Sequence, residues 1–413
     1  MSTIKKLKEF HKNVHIENIL IFVSDALRWD YTPESIKKQG IPFKTVAASI
    51  FTASSFPSIL TGLYPYNHQV YKFFDKLPAY IPSLLDVPGF ETSLYCENTW
   101  IDWEPEGGSQ IHDVMGCGPP VPLEEITPPF VYVEDERGGH CPYGWTENGP
   151  YGGGDCVSFF KDYSVRPVHN LRERYKQGIS RSVTEFEKRL SILEKRGIRD
   201  ETLVIFASDH GELLGEYGYL IGHGNFTTPE LVYVPTVFVH PDLAQEHTED
   251  TGVIRHVDLF PTIIDFLGVD KRKYTTEGYS LLDLETLPLY GKSFFKFKYG
   301  HLSYTERGVW DAHGGYVFKK GLLSRILWEI QCLVYPTSLN SIYLRGKIKT
   351  DIANTIKSYP TRMRTELDPQ LQFGSPAFGI AAAREMAQDI PIKFNKKNIL
   401  DAEIASLKQK GIL

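Results

Sequence analysis

Three short stretches of this 413-residue chain carry residue types that could do chemistry. Ser24-Asp25-Ala26-Leu27-Arg28-Trp29-Asp30 follows an apolar run and places Asp25 at its end. Ser208-Asp209-His210-Gly211 follows a second apolar run and offers a carboxylate beside an imidazole. The third, Thr52-Ala53-Ser54-Ser55-Phe56-Pro57-Ser58-Ile59-Leu60-Thr61-Gly62, is hydroxyl-rich and leads into a helical start. A helix N-terminus offers N–H groups and a positive dipole end, which suit an anion. Two carboxylates, an imidazole and a hydroxyl beside an anion site are what metal-assisted attack on a sulfate or phosphate ester needs. Singly, each element has a blander reading. An Asp after a strand is most often a turn former or cap, and serines and threonines before helices are mostly caps. Order and context together favour chemistry.

The elements around these stretches predict an α/β fold, because short apolar β-type runs alternate with helical patterns. Residues 18–23 read as a strand that is apolar throughout, as a sheet covered on both faces requires. Residues 130–133 and 203–206 read likewise, so Asp25 and Asp209 stand at the carboxyl ends of strands, where open α/β sheets hold their sites. The run 233–239 contains Pro235, which predicts a position near a sheet edge. Apolar residues at 175, 179, 183, 186, 190 and 193 mark an amphipathic helix closed by Gly197. A further helix opens at Asp258-Leu259-Phe260-Pro261 and closes at Gly268. Between about 110 and 165 glycine and proline are dense, which predicts loops. Residues 321–335 are apolar beside Lys319 and Lys320, and a packed core helix is the expectation there rather than contact with a membrane surface.

As an ordered set, these motifs resemble the sulfatase family of the alkaline phosphatase superfamily. Asn18-Ile19-Leu20 with Asp25-x-Leu27-Arg28-x-Asp30 is similar to that family's first metal-binding strand. Ile59-Leu60-Thr61-Gly62-Leu63-Tyr64-Pro65 with His68 resembles its LLTGxYPxxH segment, and Ser208-Asp209-His210-Gly211-Glu212 its second metal-binding strand. His256-Val257-Asp258-Leu259-Phe260-Pro261-Thr262 resembles its VDLxPT helix, and 407–411 a common C-terminal LKxLGY.

The resemblance implies a mostly parallel central sheet flanked by helices, with a catalytic domain over 15–300 and a smaller C-terminal extension over 301–413. It implies a nucleophile nine residues before Thr61, at Thr52. There true sulfatases carry a Cys or Ser, converted to formylglycine, within C/S-x-P-x-R. Thr52 cannot be converted in that way, and Phe56 stands at the Arg position. A frame slipped to Ser55-x-Pro57-x-Ile59 also lacks the Arg. The implied ligands of one divalent ion are Asp25, Thr52, Asp209 and His210, with Ala26 where many sulfatases have a second Asp. Mixed oxygen and imidazole donors admit Mn2+ or Zn2+ as well as Ca2+. A second ion held by Glu136 and His140 is a lesser alternative. His140, in an HxPY-like His140-Cys141-Pro142-Tyr143, and His223, where sulfatases often carry Lys, are implied to contact the anion or protonate the leaving group. His68, His256 and Asp258 read as structural, and Arg28 as pairing with Asp30 beneath the site.

Lys+Arg 45 against Asp+Glu 51 gives a net charge of -6 without a basic block, which speaks against nucleic acid as a partner. Five cysteines at 96, 117, 141, 156 and 332 lack CxxC spacing, the N-terminus shows no apolar signal core, and no run is long enough to span a membrane. A cytoplasmic protein is the expectation. The leading function is a metal-dependent hydrolase of a small-molecule or glycan sulfate or phosphate ester. The alternatives are a transferase of the phosphoryl-bearing group to a glycan or lipid, and an inactive module that binds anions.

Overall fold

The computed structural model describes residues 2–96, 110–146, 149–150, 168–224, 226–243, 252–299, 301–327, 361, 364–365 and 367–394. Its centre is a seven-stranded sheet built from β1 (Asn18–Ser24), β2 (Gly40–Val46), β3 (Glu91–Tyr95), β4 (Phe130–Glu136), β5 (Thr202–Ala207), β6 (Tyr233–Val239) and β7 (Ile254–Arg255). The order is β7-β2-β6-β5-β1-β4-β3. Strands β5, β1, β4 and β3 run parallel, and β6 is antiparallel to both its neighbours.

Alternation along β1 explains why that strand is apolar at nearly every position. Ile19, Ile21 and Val23 face one layer, with α1 (Thr3–Asn13), α2 (Thr52–Thr61) and α4 (His256–Phe266). Leu20 and Phe22 face the other, against Tyr175, Ile179, Phe186 and Leu193 of α3 (Val168–Arg196). These four α3 residues belong to the predicted apolar stripe. Phe56, Ile59 and Leu60 of α2 are fully buried, each worth roughly 1.5–3 kcal/mol. That packing fixes where the N-terminus of α2 points.

Pro235 lies inside the sheet, not near an edge as predicted. In an antiparallel strand the N and C=O of one residue point to the same neighbour. The Pro235 carbonyl accepts from Ser208 N–H at 3.3 Å, just where β5 has ended, so the missing donor removes no ladder bond.

The C-terminal part adds a four-stranded antiparallel sheet of β8 (Gly291–Tyr299), β9 (Leu302–Trp310), β10 (Gly314–Lys320) and β11 (Gln370–Gly374). Its β8–β9 hairpin has strands on both sides of residue 300. Phe295, Tyr304 and Trp310 pack it against Val46 and Tyr233 of the central sheet.

The expected helix after Gly321 is present over 322–327, but it is not packed as a core helix. There Leu323, Ile326 and Leu327 are exposed, Leu323 by 70%, while Leu322 packs on the core and Arg325 turns inward against Phe226. Residues 328–335, Cys156, Cys332 and the 407–411 motif lie outside the described residues. No described helix is long and apolar enough to cross a membrane.

Candidate functional site

Asp25 follows β1, and Asp209 and His210 follow β5, the strand beside it. The turn after β1 is forced open in a particular way. Ala26 has φ 60°, a left-handed conformation costing a non-glycine residue roughly 1 kcal/mol or more. Its N–H thereby donates to Asp209 Oδ1 at 3.1 Å, which also accepts from His210 N–H at 2.8 Å. Tyr175 clamps the turn from α3, donating to the Ala26 carbonyl at 2.7 Å and accepting from Arg28 N–H at 3.0 Å. On the β4 side only a glycine fits at 138, since a Cβ there would lie 2.5 Å from the Asp25 carbonyl oxygen.

Thr52 is the first residue of α2, whose first-turn amides lie outside the helix's own ladder. His210 Nδ1–H donates to the Gly211 carbonyl at 2.8 Å, which leaves Nε2 unprotonated. The Thr52 hydroxyl donates to that Nε2 at 3.1 Å. Around the same nitrogen stand Asp209 Oδ2 at 3.4 Å and Asp25 Oδ1 at 3.7 Å. Both carboxylate oxygens are buried without a hydrogen-bond partner. Two such atoms facing each other are costly unless a cation lies between them.

The titration of the pair says the same. Burial, then the neighbouring Asp209 and Asp135 carboxylates, push Asp25 well above the usual range. Burial also pushes Asp209 up, but His210 and the Ala26 amide outweigh it and hold Asp209 low. The donor atoms of Asp25, Asp209 and His210 lie within 4.8 Å of one another, so these residues fit a divalent ion.

A second trio, His210, Glu212 and His223, is equally close. His210 has a single unprotonated nitrogen, so it cannot serve separate ions in both trios. Glu212 instead accepts from His223 Nδ1 at 2.6 Å and from the Tyr143 hydroxyl. The expected second-ion pair is not assembled. Glu136 is taken by Gly138 N–H at 2.7 Å and the Arg181 guanidinium at 2.5 Å, and it forms no such group with His140 among the described residues.

His223 and His140 both line the cleft, their ring centroids 4.8 Å apart, with His223 4.2 Å from His210. Burial, then the His223 charge, pushes His140 down to about 3, so it stands there neutral. Phe51 walls the cleft beside His223, its ring 6.3 Å away, and packs on Phe73.

Sequence reasoning missed two carboxylates. Strand β4 runs past Val133 through Glu134, Asp135 and Glu136, three residues that looked like the end of a strand. Parity separates them. Glu134 pairs with Arg189 at 2.7 Å and Glu136 with Arg181, both on α3. Asp135 turns to the other face, beside Val23 in register, where burial and then Asp209 push its pKa well up. Glu212 stands in the sequence only as part of the Ser208-Asp209-His210-Gly211-Glu212 motif, and its spacing from His210 gives no sign of a bond to His223.

A sequence model of the Sulfatase family matches residues 134–269. A low-salt glycan biosynthesis sulfotransferase, Agl7, of Haloferax volcanii is 38% identical over 255 residues, which is 61% of this chain and 61% of that protein. The chain thus matches well short of that relative's whole length. The solved structure of a 2-O GAG sulfatase superposes with a TM-score of 0.56 at 16% identity, over 90% of this chain and 100% of its own. Residues 134–269 thus resemble the Sulfatase family, and the chain shares the fold of that solved sulfatase. The phosphonate monoester hydrolase of Agrobacterium radiobacter shares the fold too, with a TM-score of 0.55 at 15% identity over 92% of this chain and 98% of that one.

Within this sulfatase-like fold the residues read as structural are satisfied. Arg28 makes a two-pronged pair with Asp30 at 2.9 and 2.7 Å, and Asp258 accepts from Arg255 and from Tyr279 N–H. His68 accepts from Val70 N–H at Nδ1, and its Nε2 meets Ser58 Oγ at 3.0 Å. His256 lies between Ala48 N–H and the Ser208 carbonyl.

Proposed function

We propose that the chain is a metal-dependent enzyme that cleaves a sulfate or phosphate ester of a glycan or small molecule, with Thr52 as nucleophile. The observation that carries this reading is the Thr52 hydroxyl, 3.1 Å from His210 Nε2 and beside two buried carboxylate oxygens that lack partners. Asp25, Asp209 and His210 would hold the ion, with the Thr52 oxygen as a further donor. When bound, the ion supplies charge neutralisation and a lowered pKa for the hydroxyl.

The chain's own residues do the rest. Thr52 Oγ, its proton released to solvent, bonds to the sulfur or phosphorus, and the ester's bridging bond breaks. His223, oriented through Nδ1 by Glu212, gives a proton to the leaving oxygen. His140, neutral, borders the anion. Water or an acceptor hydroxyl, passing its proton to His223, then takes the group, and the bond to Thr52 Oγ breaks. Ser55 is the wrong hydroxyl for this, being fully buried and donating to the Ser49 carbonyl at 3.1 Å.

A transfer reading has one observation in its favour, the sulfotransferase name of the Haloferax volcanii relative. Both readings share the first half-reaction, so the test is acceptor dependence. The native chain is given aryl sulfate, aryl phosphate, bis-aryl phosphate and aryl phosphonate, with several divalent ions, with and without a glycan acceptor. Phenol release in water alone marks a hydrolase, and release that requires the acceptor marks a transferase. Trapping with a poor substrate places the added mass on the Thr52 peptide. A loss of about 2 Da on the Ser55 peptide, the mark of serine oxidised to an aldehyde, would overturn the Thr52 assignment.

A further inference from the structure

The C-terminal sheet has two unlike faces. Phe295, Tyr304, Trp310 and Val317 turn inward to the core. The alternate residues form the outer face, in cross-strand rows set by register. One row is Lys296–Thr305–Lys320, and the next is Phe294–Arg307–Phe318–Gln370. Over the second row lies the helix Ile380–Met386, and between helix and sheet runs a groove of 640 Å3, lined by Arg307, Phe318, Lys320, Gln370, Arg384 and Asp389 among others.

The groove's charge runs against that of the chain. The protein is net -6, yet this face gathers cations. Arg307 is offset by Asp389, with contacts at 2.8 and 2.5 Å. Lys320 and Arg384 are both exposed, and among the described residues neither holds a carboxylate. Arg384 reaches Gln370 Oε1 at 2.8 Å and holds its guanidinium 5.7 Å from the Phe318 ring. Beside the groove the Lys296 ammonium sits 4.3 Å over the Tyr71 ring. Burial first, then the like charges of Lys298 and Arg307, lower its pKa, as expected of cations crowded on one face.

A half-buried ring, side-chain amides and uncompensated cations in one concave surface suit a pyranose chain bearing sulfate or carboxylate groups. A single-stranded nucleic acid would call for successive stacking rings along a basic track. Among the described residues the groove lines itself with one ring, Phe318. We infer that this groove is a second, non-catalytic binding site that holds an anionic oligosaccharide away from the cleft. The inference extends the glycan-ester reading of the cleft, and its test does not require turnover.

The test measures binding of a fluorescently labelled, sulfated hexasaccharide to the full chain by anisotropy. The same sugar desulfated and a 12-nucleotide single-stranded DNA are the comparisons. The double variant Lys320→Glu with Arg384→Glu should raise Kd about tenfold or more, as removal and reversal of two surface charges allow. Its melting temperature should match the native chain, and so should any aryl-ester turnover. Thr52→Ala should bind the hexasaccharide as the native chain does. The inference falls if the double variant binds the sulfated sugar normally, if Thr52→Ala abolishes that binding, or if the DNA or the desulfated sugar binds as tightly. A native chain without turnover that still shows charge-dependent sugar binding would count against the cleft reading alone.

Discussion

Two regions of this molecule bury histidines, and they do so in opposite ways. His68 and His256 lie in the layer between helices and sheet, fully buried, with both ring nitrogens met by protein groups. Burial pushes them to about 3 and about 4, and neutral rings are all that layer needs. In the cleft, His210 is buried just as deeply, but its Nε2 faces a hydroxyl and two carboxylate oxygens that have no other partner. Burial alone therefore does not set His210 apart. Unmet atoms around it do.

The largest expected effect breaks the cleft side of this comparison. Asp209→Ala removes one unpartnered oxygen and also the acceptor of the Ala26 and His210 amides. Elemental analysis should find no bound divalent ion, and turnover should fall about 10^3-fold or more. Full activity with a normal ion content would sink the ligand assignment. Thr52→Ala should lose a comparable factor while keeping the ion and the melting temperature, and Thr52→Ser should retain part of the rate. Equal rates for the alanine variant and the native chain would remove Thr52 as nucleophile.

Glu212→Gln sharpens the contrast within the cleft. It leaves the ion trio intact but weakens the hold on His223 Nδ1, so kcat should drop about 10–100-fold with unchanged ion content. Two bound ions in the native chain and one in this variant would instead make Glu212 a ligand.

The smallest effect lies in the packing layer. His68→Gln should leave turnover unchanged and cost about 1–3 kcal/mol through one lost buried bond. Because His68 titrates near 3 when folded and near 6.5 when free, its stabilisation is complete above 6.5 and is lost as pH falls toward 3. The variant's urea midpoint should therefore change less between pH 7 and pH 5 than the native one. An identical change in both would remove His68 as a contributor.

Much of this was legible in the chain. Continuous apolar runs at 18–23 and 203–206 announced strands covered on both faces, and their following polar residues met at one rim. Tyr175, Ile179, Phe186 and Leu193 announced the helix that packs on them. What stayed hidden depended on the third dimension. Pro235 misled because a proline's penalty depends on where its neighbour strand ends, a matter of register. Asp135 was hidden because acidic residues disfavour strands, and only the parity of β4 reveals that it departs from Glu134 and Glu136. Glu212 gained its partner across a hairpin of Leu213–Gly215 with Leu220–Gly222, which no local pattern specified.

The Tyr175 clamp ties the lifetime of the site to the breathing of one helix. Its hydroxyl spans two backbone groups of the Asp25 turn, so docking of α3 adds two hydrogen bonds to those that the neighbouring strands' ends give that turn. Any opening of α3 frees both groups at once and weakens the hold on the strained Ala26. Release of a bound ion would then keep time with amide exchange in α3, and Tyr175→Phe would quicken both clocks together.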